Sequence, residues 1–134
     1  MKTEKISINL NPVELGQIDY LVSRGLFDSR SDFMRNAARK SLEGYSSEFT
    51  HFIQQEDNGK QTLSGVGIIN LSKGDIIRLQ STGKKLRIRI IGILAIGTSV
   101  TADDVRNVVG CCKVHGKIVA DVEIKKILNA LTDE

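Results

Sequence analysis

Proline occurs once in these 134 residues, tryptophan not at all, and cysteine only as the adjacent pair Cys111-Cys112. Two neighbouring cysteines give no disulfide framework and fit a reducing compartment. No apolar run nears the ~18–20 residues of a membrane span, and Met1-Lys2-Thr3-Glu4-Lys5 lacks the apolar stretch of a secretory leader. The expected location is therefore cytoplasmic, with the nucleoid if DNA is the partner. Strong charge of either sign is missing too: a net +3 permits nucleic-acid binding without arguing for it. Catalytic signatures are also missing. Gly65-Val66-Gly67 lacks the third glycine and the strand-to-helix context of a phosphate loop. Asp32 and Asp103-Asp104 suit helix N-termini better than a paired-carboxylate site. The expectation is a protein that is not an enzyme.

What is present divides unevenly. All six aromatic residues fall between Tyr20 and Phe52, whereas thirteen of the sixteen isoleucines lie at Ile53 or beyond. Between the halves runs the polar, aperiodic stretch Gln54-Gln55-Glu56-Asp57-Asn58-Gly59-Lys60-Gln61-Thr62, a linker composition. The expected domains are residues 1–53, a linker at 54–64, and residues 65–134.

In the first half, Lys5-Ile6-Ser7-Ile8-Asn9-Leu10 alternates with period two, as a half-buried strand does, with Ile6, Ile8 and Leu10 as its buried face. Asn11-Pro12 opens a helix whose apolar face is Val13, Leu15, Ile18, Leu21 and Val22, and Gly25 ends it. Ser29-Arg30-Ser31-Asp32 reads as a capping box, Ser29 the cap and Asp32 its reciprocal partner, for a second helix buried along Phe33, Ala37 and Leu42. The spacing Tyr45, Phe49, Phe52, Ile53 extends a helical stripe past Gly44. One six-residue strand cannot satisfy its own backbone, and ~45 residues rarely bury enough apolar surface alone. The simplest partner is the same strand of a second copy across a two-fold axis. The resulting antiparallel ribbon would present Lys5, Ser7 and Asn9 on its open face, and a two-stranded ribbon fits the major groove of B-DNA. The N-terminus of the second helix, around Arg30 and Ser31, is a phosphate anchor in waiting.

These stretches, with the turn Gly25-Leu26-Phe27 and Ser29-Arg30-Ser31-Asp32-Phe33-Met34-Arg35-Asn36-Ala37, resemble the ribbon-helix-helix repressors over roughly residues 3–45. The resemblance implies an α+β fold and a homodimer on double-stranded DNA. Lys5, Ser7 and Asn9 would contact bases, and Ser29, Arg30 and Ser31 phosphates. It implies no cofactor and no membrane, and a transcriptional repressor as the function. The alternative is an antitoxin-type component that neutralises a protein partner through its C-terminal part.

The second half reads as strands and short helices: a strand at Gly65–Leu71, a helix capped by Ser72 and ending by Gly83, a strand within Lys84–Ile96, a helix capped at Thr101, a strand from Val114 to Ala120 and a closing helix at Asp121–Leu131. Ile91-Gly92-Ile93-Leu94-Ala95 and His115-Gly116-Lys117-Ile118-Val119-Ala120 look alike, their glycines 24 positions apart, which suggests two stacked rungs of a solenoid-like module. The pattern from Leu86 to Ile96, Val100-Thr101, and Val114 to Leu128 also resembles C-terminal extensions of some bacterial repressors of this type. That implies architecture only, with a role in joining dimers into a higher oligomer. Cys111, Cys112 and His115 are the one set that could supply three N/S donors for a metal or a thiol switch, against the plainer reading of packing. No metal site is expected.

Overall fold

The computed structural model describes residues 3–54 and 61–132. It is an α+β protein whose contacts divide it into two compact units, Met1–Ser46 and Ser47–Glu134. Most of the segment read as a linker, residues 55–60, lies outside the described residues.

The first unit holds α1 (Pro12–Ser23) and α2 (Arg30–Glu43). Asn11 caps α1 by accepting the Glu14 N–H at 2.8 Å, while its amide donates to the Glu14 carboxylate at 2.7 Å. The helix stops where Gly25 takes a left-handed φ of 80°. There Gly25 N–H donates to Val22 and Leu26 N–H to Leu21, which closes the last turn. Ser29 Oγ caps α2 by accepting the Asp32 N–H at 3.0 Å. The expected reciprocal bond is displaced by one residue: the Asp32 carboxylate accepts from Asp28 N–H, not from Ser29. The expected strand is likewise absent within one chain, where residues 3–11 are irregular. Ile6 and Ile8 are 85% and 60% exposed instead of buried, and Leu10 is half-buried. The reason is elementary, since a strand exists only by pairing, and the described residues of this unit contain no second strand.

The second unit begins with α3 (Ser46–Ile53), which the sequence attached to the first domain. Three strands of eleven residues follow, β1 (Gln61–Leu71), β2 (Leu86–Ile96) and β3 (Val109–Val119), with helices α4 (Lys73–Gln80), α5 (Ala102–Val108) and α6 (Val122–Ala130) after each in turn. The sheet is parallel in the order β1-β2-β3, and the helices bury Ile76, Val105, Ile124 and Leu128 in one core with Ile88, Ile90, Leu94, Cys112 and Ile118. Burying a side chain of this size is worth ~1.5–3 kcal/mol. Two of the helices start with full capping boxes, Ser72 with Asp75 and Thr101 with Asp104. Two strands are longer than expected: β1 starts at Gln61, inside the stretch read as linker, and β3 starts at Val109, directly from the end of α5.

The suspected pair of rungs is in fact three. Gly67, Gly92 and Gly116 lie side by side across the sheet, each with φ between 130° and 133°. A Cβ on Gly92 would stand 2.2 Å from the Gly67 carbonyl oxygen, and one on Gly116 would stand 1.9 Å from that of Gly92. Each carbonyl occupies the space a side chain would need on the next rung, so only glycine stacks here.

Candidate nucleic-acid interface

Lys5, Ser7 and Asn9 lie on the irregular segment before α1, and all three are exposed. Beside them the first unit is unfinished as a hydrophobic object. Ile18, at 6% exposure, is its one buried apolar side chain among the described residues. Ile8, Leu10, Leu15, Ile18 and Met34, with Asn9 and Arg30, line an open concavity of about 360 Å³. Val13, Gly16, Gln17, Tyr20 and Leu21 line another along α1, of about 560 Å³. Exposed apolar surface of this extent on so small a unit marks a place for a partner.

At the start of α2, Ser29 and Ser31 are exposed, and no hydrogen bond among the described residues engages the backbone N–H of Arg30 or Ser31. Two such N–H groups at the positive end of a fourteen-residue helix can receive a phosphate oxygen. The Arg30 side chain is differently placed. Its guanidinium grips both oxygens of Asp19 in α1 at 2.8 Å. The hydrogen bond from Arg30 holds the Asp19 carboxyl below its ordinary 3.8, and the same bond raises Arg30. Asp19 is thus a neighbour of the candidate site that sequence reading missed. It stands eleven positions before Arg30, too far apart for any helical spacing to signal the pair.

The three donors weighed for a metal do not converge. Adjacent residues of a strand face opposite sides. Cys112 is buried in the core, where burial pushes its thiol up to about 12, while His115 is exposed on the other face. Among the described residues no group of three His, Cys, Asp or Glu side chains could hold a metal ion. His115 packs edge-on against Phe52, ring centroids 5.1 Å apart. Phe52 also carries Arg89 over its ring at 4.1 Å and accepts the Arg89 Nε–H on its carbonyl at 2.8 Å. This arrangement fastens α3 to β2 and β3 and compensates an almost fully buried guanidinium.

Residues 1–125 match the model of a family described as the ribbon-helix-helix transcriptional regulator family. The chain belongs to that family. The match continues through all three strands of the second unit, so the stacked sheet belongs to the family pattern as much as the N-terminal helices do. No curated protein and no solved structure matches the chain. Ribbon-helix-helix regulators act on DNA, which makes the protein a DNA-binding regulator of transcription. No helix among the described residues is long and apolar enough to cross a membrane.

Proposed function

We propose that the protein is a homodimeric, sequence-specific repressor whose residues 5–10 pair with those of a second copy and enter the major groove. The observation that carries this reading is the exposure of Ile6 and Ile8, alternating with Lys5, Ser7 and Asn9, in front of two helices that lack a closed core. Pairing across a two-fold axis buries the isoleucines against the helices and turns the three polar side chains outward together. Lys5 then donates to guanine acceptors, Asn9 offers the bidentate match to adenine, and Ser7 serves either base. The N–H groups of Arg30 and Ser31, with the Ser29 and Ser31 hydroxyls, take phosphate oxygens and set the register. Occupying a promoter in this way excludes polymerase.

Residues 1–53 form the DNA-binding and dimerising part on this reading, and residues 65–134 join dimers. The repressor is preferred to an antitoxin because the second unit has a core of its own, fourteen buried residues from Leu71 to Leu128. Segments that neutralise a partner are usually disordered until bound. The test is selection from a random duplex pool, using the intact protein and the variant with Lys5, Ser7 and Asn9 all changed to Ala. A short motif repeated at fixed spacing, enriched by the first and lost by the second, is the expected result. Enrichment of the same motif by both proteins would remove the base-reading role from the strand.

A further inference from the structure

The two edges of the three-stranded sheet are unlike. On β3 the edge is protected: Lys113, His115 and Lys117 lie along it, and its Cys112 N–H is taken by the Leu131 carbonyl at 3.0 Å, where the chain returns after α6. Charge and a covering segment are the ordinary means of keeping a sheet edge from pairing. Among the described residues the eleven of β1 have neither. Gln61 to Leu71 contain no charged residue, no histidine and no proline. Among the described residues no backbone hydrogen bond falls on the side of β1 away from β2. Val66 and Ile68, next to that edge, are 58% and 52% exposed, and Gly67 between them has open space where a side chain would stand. A long, uncharged, uncovered edge bordered by exposed branched side chains is a strand-pairing surface.

We infer that β1 pairs with β1 of a second copy, antiparallel about a two-fold axis, so that two sheets become one of six strands. This deepens the joining role proposed for the C-terminal part and rests on that reading. A second copy is the occupant because the edge is self-complementary: full overlap of eleven residues places Val66 opposite Val66 and Gly65 opposite Gly67, with no like charges opposed at any step. Head-to-tail stacking of β3 on β1 is disfavoured by the Leu131 contact that already occupies the β3 edge.

The experiment uses the full chain with the photo-cross-linking residue p-benzoylphenylalanine placed at Val66, or at Ile68 as a second placement should the first disturb the far-UV spectrum. Light and 15N-labelled proteins are mixed, irradiated and digested with trypsin. The expected product joins the peptide of residues 61–73 from one chain to the same peptide from another, in mixed-isotope pairs. Adding Ile68→Glu, which leaves the tryptic peptide intact, to the Val66-substituted chain should lower its yield at least tenfold, with the spectrum unchanged. Cross-links between chains that run from 61–73 to β3 peptides, cross-links confined to single chains, or a yield indifferent to Ile68→Glu would each overturn the inference. DNA binding is scored separately in the same samples, so loss of the edge pairing and failure of base reading remain distinguishable.

Discussion

Replacing Gly116 or Gly92 by alanine should cost the second unit far more than the same change at Gly67, although all three share one backbone conformation. At Gly67 the added methyl meets nothing within 4 Å, so the cost is the strain of holding a side chain at φ 130°, about 1–3 kcal/mol. At Gly92 it meets the Gly67 carbonyl oxygen at 2.2 Å, the carbonyl carbon at 3.0 Å and the nitrogen at 3.1 Å. At Gly116 it meets the Gly92 oxygen at 1.9 Å and carbonyl carbon at 2.9 Å. These atoms are backbone held by ladder hydrogen bonds, so relief requires parting two strands. Forced overpacking adds about 1–3 kcal/mol more, giving roughly 2–6 kcal/mol in total at either interior position. A domain of this size has about 5–15 kcal/mol to lose. Urea unfolding followed by far-UV circular dichroism, with the slope checked between variants, reads the difference. The expected order of loss is Gly116 and Gly92 together, then Gly67. Equal losses at all three positions, or a loss under about 1 kcal/mol at Gly116, would refute the claim that carbonyl stacking is what demands glycine.

Three further outcomes follow from the same geometry. The Lys73 hydrogen bond, then the Thr101 N–H, hold the Asp104 carboxyl below its ordinary 3.8. The stability this gives is complete above that ordinary value and is lost as pH falls through the lower folded value. Urea midpoints taken from pH 5 to pH 2 should therefore fall less steeply in Asp104→Asn than in the parent, and parallel curves would contradict it. With its thiol pushed up to about 12 by burial, Cys112 should resist alkylation at pH 8 while Cys111 reacts, and both should react in urea; mass spectrometry of the modified peptide decides. Asp19→Ala releases the Arg30 guanidinium and should steepen the salt dependence of DNA binding by about 0.9 for each phosphate the freed group reaches. An unchanged slope would show that Arg30 reaches phosphate despite Asp19, or never does, and Arg30→Ala separates these two cases.

Local chemistry was legible wherever one segment decides its own state. Asn11-Pro12, Ser72 with Asp75, and Thr101 with Asp104 start helices because capping needs only residues three apart, and Gly25 ends one for a reason equally local. Long-range features were not. The reciprocal bond of Asp32 went to Asp28, the Arg30 side chain went to Asp19, and Phe52 joined Arg89 and His115 across many residues of chain. The three-rung stack was half visible. Gly92 and Gly116 stand 24 apart in look-alike segments, but Gly67 stands 25 before Gly92, with Gly65 beside it as an equally good match. Only the register of β1 on β2 selects Gly67. The start of β3 was hidden for another reason: Val109 ends α5 and begins the strand at once, with no turn residue to punctuate the change.

The two units therefore stand in opposite relations to their own sequences. The second closes a core within one chain, because parallel strands linked by helices find their partners a repeat away. The first presents the right helices, correctly capped, around one buried residue, and its strand pattern has nothing to pair with. On the reading proposed above, its alternation of Ile6 and Ile8 with Lys5, Ser7 and Asn9 encodes an assembly, in a segment that is irregular in the single chain. On the same reading, ordering of residues 5–10 and association of two chains are one event, and the face that meets DNA does not exist before it.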